Sequence, residues 1–158
     1  MRVHVLEREQ LLPHPLASAF AFFADAGNLE AITPPLLRFR IVAQQPARME
    51  GGTRLEYRLR IHGVPVRWRT LIAEWSPPHR FVDTQTSGPY AIWHHTHEFS
   101  DAGEGRTLMK DVVRYAIGGG PAGELAHRLV VRRDLDRIFD FRAQAIVPLL
   151  ATGSANAR

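Results

Sequence analysis

The sequence contains no cysteine among its 158 residues. This absence excludes disulfide bonds, a thiolate nucleophile and every cysteine-based zinc or iron–sulfur site. Long apolar runs are also missing, since none approaches the ~18 residues that a membrane helix needs. Residues 1–5 lead directly into a strand pattern, without the apolar core of a signal peptide. We therefore expect a cytoplasmic protein without a membrane span.

Lysine is almost absent, because Lys110 is the sole lysine of the chain. The formal net charge is +4, but the arginines are scattered singly over several segments with acidic residues among them. No helix-turn-helix, KH or RNP pattern accompanies this charge. The sequence thus predicts a solvated arginine-rich surface and no nucleic-acid partner.

The length of the chain suits one domain with a sizeable core or an enclosed pocket. We predict this domain over residues 1–150 and a flexible tail over 151–158, where the residues are small and polar. A homodimer is compatible with the sequence, although no feature demands one.

Residues 93–99 alternate as in a half-buried β-strand. Trp93, His95, His97 and Phe99 fall on one face of this strand. Basic residues that alternate along the neighbouring strands mark the opposite face as solvated. These residues are Arg54, Arg58, Arg60, Arg67, Arg69, Lys110 and Arg114. The two histidines therefore lie between aromatic residues on the interior face.

A turn over residues 101–106 joins this strand to the next. One register that agrees with the alternation places His95 directly opposite Asp111, and only slips of two residues keep the basic side chains outside. The preceding turn, at residues 87–90, brings Asp83 and Gln85 onto the same interior face. The sequence therefore predicts an interior polar cluster of Asp83, Gln85, His95, His97 and Asp111.

The remaining pattern predicts a first strand, two short helices, six further strands and one long C-terminal helix. The expected ranges are 3–11 for the first strand, 16–23 and 29–32 for the short helices, 37–45, 53–62, 65–75, 79–87, 90–100 and 106–117 for the strands, and 122–150 for the last helix. An apolar stripe on that helix is expected from Leu125, Leu129, Leu135, Ile138, Phe139, Ile146 and Leu149.

Several segments resemble bacterial proteins of the SRPBCC (START/Bet v 1-like) superfamily, close to its polyketide cyclase/dehydrase-like group. They are FADAGNLEAITPP at 23–35, WSPPHRFVDTQ at 75–85, GPY at 88–90 and WHHTHEF at 93–99. The resemblance implies an α+β helix-grip fold, in which a curved seven-stranded antiparallel sheet wraps round the C-terminal helix. It also implies a deep apolar cavity between sheet and helix. It does not imply a reaction, because the superfamily includes both carriers and enzymes.

The resemblance favours binding of a small hydrophobic molecule, either aromatic, polyketide-like or lipid-like, in that cavity. Aromatic and polar residues on the interior face, together with two helix residues, are the candidates for ligand binding. They are Tyr57, Trp68, Phe81, Asp83, Gln85, Trp93, His95, His97, Met109, Asp111, Val113, Tyr115, Ile138 and Arg142. Arg142 could meet a ligand carboxylate or Asp83, but we expect it to extend to solvent.

Two other functions remain open. A polyketide cyclase/dehydratase-like lyase or isomerase could use His95 and Asp111 as a catalytic pair, because a carboxylate orients an imidazole that acts as general base. A protein-interaction module without a ligand is the third hypothesis. His95 and His97 are also spaced closely enough for one metal ion, with Asp111 or Asp83 as a third ligand. A buried hydrogen-bonded network is the favoured interpretation, so we expect no metal and no cofactor.

Overall fold

The computed structural model describes the backbone of residues 1–155 and the side chains of residues 1–152. Seven strands, four α-helices, a short 3₁₀ helix and a π-helical turn follow the predicted order. In chain order they are β1 His4–Leu12, α1 Leu16–Ala24, α2 Gly27–Ala31, the 3₁₀ helix Pro35–Leu37, β2 Arg40–Gln45, β3 Arg54–Ile61, β4 Val64–Ser76, β5 Arg80–Ser87, β6 Ile92–Gly103, β7 Arg106–Ala116, α3 Gly120–Ala126, the π-helical turn His127–Val131 and α4 Arg132–Ala155.

The strands form a single antiparallel sheet in the order β1-β7-β6-β5-β4-β3-β2. All neighbours except β1 and β7 are also consecutive in sequence, so short hairpins build most of the sheet. The chain thus has the α+β helix-grip architecture, with a curved seven-stranded sheet round the C-terminal helix. The first two α-helices lie between β1 and β2 in sequence, as predicted.

Strand β4 bends because its pairing with β5 shifts at two places, between Arg69 and Thr70 and between Ile72 and Glu74. Each shift is a bulge or irregularity of the kind that increases local twist and turns a strand. The sheet therefore curls, and its concave face does not lie flat against α4.

The C-terminal helical segment begins at Gly120, two residues before the predicted start, and contains the π-helical turn. This turn changes the helical register, so His127 is buried while Leu125 and Leu129 are 56% and 60% exposed. The predicted apolar stripe is therefore wrong at Leu125 and Leu129. It holds further along, where Leu135, Phe139 and Ile146 are buried.

The predicted tail at 151–158 differs from the structure at its beginning, because α4 continues to Ala155. Residues 156–158 lie outside the described residues. None of the described helices is long and apolar enough to cross a membrane.

The buried apolar residues form three clusters round the concave face of the sheet. One joins α1 and the end of α4, and includes Phe20, Phe99 and Ile146. A second lies on β3 and β4, and a third joins β7 to the first half of α4 through Val113 and Leu135. The space between these clusters is the cavity described next.

Candidate functional site

A cavity of about 780 Å³ lies between the concave face of the sheet and α4. Its volume falls within the ~300–1,000 Å³ typical of small-molecule sites. Nine residues predicted to bind ligand line this cavity: Tyr57, Trp68, Phe81, Asp83, Trp93, His95, His97, Ile138 and Arg142.

Five other residues predicted to bind ligand lie outside the cavity lining, so their contact with a ligand stays a prediction. The Gln85 amide bonds the backbone N–H and C=O of Tyr90 and stabilises the β5–β6 turn. Met109 and Val113 are packed in apolar clusters, while Tyr115 bonds a histidine beyond the cavity wall. Asp111 lies behind the two lining histidines. Strand alternation identifies the face of a residue, but not its position along the strand.

His95, His97, Asp83 and Asp111 form a compact group, here called the His–Asp quartet. His95 Nε2 lies 2.7 Å from Asp111 Oδ1, and His97 Nε2 lies 2.7 Å from Asp83 Oδ2. The two imidazole rings stack with centroids 3.7 Å apart. His97 Nδ1 lies 3.2 Å from the same Asp111 oxygen, although without good hydrogen-bond geometry.

The strand register differs by two residues from the predicted one. Asp111 pairs across the ladder with His97, and His95 pairs with Val113. The slip keeps the side chains on their expected face. The contact predicted between His95 and Asp111 nevertheless exists, because the His95 side chain leans along the strand to reach the carboxylate.

The two histidines of the quartet respond differently to their surroundings. Burial and the neighbouring His97 charge lower the pKa of His95 against the opposing pull of the carboxylates. Burial also disfavours charged His97, but its contacts with Asp111 and Asp83 outweigh burial and raise its pKa. The same contacts, against the effect of burial, lower the pKa of Asp111 and of Asp83. These surroundings therefore favour the charged form of His97, the neutral form of His95 and the ionised form of both carboxylates.

The ionised Asp111 fixes the tautomer of neutral His95. A carboxylate only accepts hydrogen bonds, so Nε2 of His95 carries the proton that it donates to Asp111. The other ring nitrogen, Nδ1, is then the basic atom of His95. Because His95 lines the cavity, this arrangement has the elements of an oriented general base.

Arg142 lines the cavity and does not extend to solvent, which corrects the prediction for this residue. Its guanidinium carbon lies 5.0 Å from the centre of the Phe139 ring, and Nε is buried without a hydrogen-bond partner among the described residues. Burial lowers the pKa of Arg142, while the charges of Asp111 and Asp83 oppose this effect.

Two hydroxyl groups face the cavity on β3 and β4. Tyr57 and Thr70 both line it. Thr70 pairs with Leu55 and Tyr57 pairs with Trp68, so the two residues lie diagonally across the β3–β4 ladder. Burial, with a smaller contribution from the Asp83 charge, raises the pKa of Tyr57, so its hydroxyl remains protonated. The Thr70 hydroxyl is buried and interacts with the Tyr57 hydroxyl, which opposes the effect of burial on the pKa of Tyr57.

The sequence analysis did not predict the part of the cavity wall that lies between β1 and β2, nor the residues near the cavity mouth. Apolar residues of α1 and α2 and several charged residues near the mouth complete the lining. They include Phe22, Phe23, Leu29, Arg38, Arg60 and Arg137. The amphipathic spacing of the short helices was a usable signal for Phe23. The sequence contained no comparable signal for the arginines near the mouth, because in sequence they resemble any other solvated arginine.

Asp83, His95 and His97 each offer one metal-ligand atom, and these atoms lie within 4.8 Å of one another. Two histidines and a carboxylate suit Zn²⁺ or Fe²⁺. However, His97 and Asp83 already satisfy each other through a 2.7 Å hydrogen bond. The hydrogen bonds within the quartet therefore compensate the charges of its members, and the absence of a metal ion stays a prediction from the sequence.

A second group of similar composition lies outside the cavity lining. It contains His4, Glu124 and His127, whose potential ligand atoms also lie within 4.8 Å of one another. His4 Nε2 is 3.0 Å from Glu124 Oε2, and His127 Nε2 is 2.8 Å from the Tyr115 hydroxyl. These bonds join β1 to α3 and β7 to the π-helical turn, so they connect the C-terminal segment to this side of the sheet.

Residues 3–150 match the protein family described as polyketide cyclase/dehydrase and lipid transport. The chain belongs to this family. Membership confirms the resemblance to START/Bet v 1-like proteins that the sequence motifs indicated. No curated protein matches the sequence.

Solved structures with the same fold are distant in sequence. An aromatase/cyclase from a Streptomyces species has a TM-score of 0.76 and 12% identity, over 99% of this chain and 97% of that one. Norcoclaurine synthase from Thalictrum flavum has a TM-score of 0.70 and 14% identity, with 97% of both chains covered. A START superfamily protein from Mycobacterium smegmatis has a TM-score of 0.65 and 12% identity, over 90% of this chain and 97% of that one. These matches show the fold.

Proposed function

We propose that this protein binds a small hydrophobic molecule in the cavity between the sheet and α4. The observation that carries the proposal is a cavity of about 780 Å³ whose wall is mainly apolar and aromatic, with a few buried polar groups on one side. Apolar contact supplies affinity in such a site, and the polar groups orient the ligand. The His–Asp quartet would orient the polar end of the molecule.

The family and two of the structural relatives support this proposal by analogy. The family description includes lipid transport, and the aromatase/cyclase and norcoclaurine synthase are enzymes by name. A protein-interaction module without a ligand is a weaker hypothesis, because side chains do not fill the cavity. A cytoplasmic location and a homodimer remain predictions from the sequence.

Native mass spectrometry of gently purified protein tests the proposal directly. We expect an organic adduct that is lost on denaturation. As an independent probe, the neutral fluorophore N-phenyl-1-naphthylamine should bind the protein and become more fluorescent. The variant Ile138→Trp should abolish both signals, because the larger ring occupies the cavity between α4 and the sheet.

The matched control is Leu129→Trp, which places the same ring on the exposed face of the C-terminal segment. This variant should bind the fluorophore as the wild type does. If wild-type protein carries no adduct and does not bind the fluorophore, the proposal is wrong. Equal binding by Ile138→Trp and wild type would place the fluorophore on the surface instead.

A cyclase/dehydratase-type enzyme is the second candidate, and the His95–Asp111 pair favours it. Neutral His95 could remove an acidic proton next to a carbonyl, with Asp111 stabilising the imidazolium that forms. Deuterium exchange at the central carbon of an aryl 1,3-diketone, followed by NMR, tests this chemistry. Exchange should be faster with wild type than with His95→Ala, while fluorophore binding persists. Loss of folding in His95→Ala would support a structural role.

A further inference from the structure

The guanidinium of Arg142 has incomplete hydrogen bonding among the described residues of the cavity. It carries five N–H donors, and its Nε is buried without a hydrogen-bond partner among the described residues. A buried charge that lacks hydrogen bonds is costly, because water solvates it far better than an apolar wall does. Its ring contact with Phe139, at 5.0 Å, replaces only part of that solvation.

Asp83 and Asp111 do not serve as hydrogen-bond partners of Arg142. Both act on it through charge alone. Each of these carboxylates instead accepts a 2.7 Å hydrogen bond from a histidine. No hydrogen bond joins either carboxylate to Arg142 among the described residues, so the guanidinium N–H groups are available to a ligand in the cavity that Arg142 lines.

Two hydroxyl groups lie on the wall formed by the sheet. The Thr70 hydroxyl is buried, lines the same cavity as Arg142 and interacts with the Tyr57 hydroxyl. Tyr57, also in the lining, interacts electrostatically with Arg142. A ligand oxygen placed between these groups would meet donors from α4 and from the sheet.

The rim of the cavity carries excess positive charge. Arg38, Arg60 and Arg137 line it, against Asp25 and Asp134. All three arginines are exposed, whereas Asp134 is engaged in a 2.6 Å contact with His62. Surface charge of this sign increases the local concentration of anions at the mouth.

From these observations we infer that the ligand is a hydrophobic acid whose anionic oxygens bind Arg142. This inference rests on the proposed function and names its ligand class. A guanidinium recognises a carboxylate or a similar oxyanion through two parallel N–H···O hydrogen bonds. The aromatic and aliphatic wall then buries the remainder of the molecule, and the Thr70 and Tyr57 hydroxyls are further polar groups of the same cavity wall.

A pair of fluorophores that share one skeleton tests the inference. Anilinonaphthalene sulfonate is the acid, and N-phenyl-1-naphthylamine lacks the sulfonate. Arg142→Gln should weaken binding of the acid by about 10- to 100-fold, as expected for loss of a charge-assisted hydrogen bond. Binding of the neutral probe should change by less than about threefold. Arg142→Lys should retain part of the affinity for the acid, because it keeps the charge but not the planar donors.

Arg133→Gln is the matched control, since Arg133 is exposed on the same helix and loses the same charge. Its affinity for both probes should stay within about twofold of wild type. Equal effects of Arg142→Gln on the two probes, or none on the acid, would overturn the inference. So would a wild type that binds only the neutral probe, although the proposed function would then stand. Failure of both probes to bind wild type would overturn both proposals.

Discussion

Asp111 is the residue on which the polar side of the site depends. It is 3% exposed and lies within 3.2 Å of both quartet histidines. Asp111→Ala leaves the charged histidine without one of its two carboxylates in a dry environment. We expect this change to lower the free energy of unfolding by about 3–5 kcal/mol, as for other broken buried ion pairs. Urea denaturation at neutral pH measures it.

Glu9→Ala is a suitable comparison for Asp111→Ala, because Glu9 is an exposed acid on the strand paired with β7. Its effect should stay within about 0.5 kcal/mol. A loss below about 1 kcal/mol for Asp111→Ala would mean that the quartet contributes little to folding and is retained for binding alone.

The raised pKa of His97 makes the stabilisation from this residue dependent on pH. The folded protein binds its proton more tightly than the unfolded chain, whose histidine pKa is about 6.5. The stabilisation is therefore complete below about pH 6.5 and is lost as the pH rises through the folded-state value. The difference in unfolding free energy between wild type and His97→Gln should shrink over this alkaline range.

His95 should show the opposite behaviour, because its pKa is lowered in the folded protein. The unfolded chain then binds the proton more tightly, so stability falls as the pH drops below about 6.5. Urea titrations of wild type, His95→Gln and His97→Gln across this range separate the two contributions. Parallel stability curves for the three proteins would contradict the assignment of a charged His97 and a neutral His95.

Strand alternation predicted which residues share the interior face, and for His95, His97, Asp83 and Asp111 it predicted the polar group itself. It could not predict which partners meet, because a slip of two residues preserves the face and changes every pair. It also could not separate cavity wall from packed core, as Met109 and Val113 illustrate. Arg142 was placed in solvent because a charged side chain on an apolar stripe usually extends outward.

At the scale of elements, the junction between β7 and α3 depends on the absence of a side chain at Gly123. A Cβ at this position would lie 1.9 Å from the Gly118 carbonyl oxygen, so the backbone would have to move. Gly123→Ala should therefore destabilise the protein by about 1–3 kcal/mol, despite the better helix propensity of alanine. Thermal unfolding followed by circular dichroism measures the change.

Gly118→Ala is the control for this junction, since a Cβ there meets no atom within 4 Å. It should leave the melting temperature nearly unchanged or raise it slightly, because alanine restricts the unfolded chain. Equal melting temperatures for the two variants would show that the α3 segment can shift freely at its start.

The C-terminal segment shows how far periodicity predicts an element. Its length and the buried residues of its second half were predictable, because Leu135, Phe139 and Ile146 recur at helical spacing. The π-helical turn at His127–Val131 was not, since one shifted hydrogen-bond register has no clear composition signal. The bulges of β4 escaped prediction for the same reason, although they curve the sheet away from α4.

For the molecule as a whole, sequence motifs predicted the fold more completely than the site. Element order and the quoted motifs indicated the helix-grip architecture, which the family match confirms. The cavity follows from a mismatch between sheet curvature and helix width, and that mismatch depends on the packing of many side chains at once. Because carriers and enzymes share this fold, the fold does not determine the ligand. The residues that line the cavity determine it.

The whole molecule should be more stable with its ligand than without it. A ligand that binds only the folded state stabilises it by about 2.7 kcal/mol at a hundred times its dissociation constant, which for a domain of this size raises the melting temperature by roughly 5–10 °C. Gently purified protein should therefore melt at a higher temperature than protein refolded from guanidinium, which removes bound molecules. Addition of the organic extract of the first sample should restore the higher melting temperature to the refolded protein. Ile138→Trp, with its filled cavity, should melt at the same temperature before and after refolding. If refolding lowers the melting temperature of this variant as much as that of the wild type, imperfect refolding and not ligand loss explains the effect.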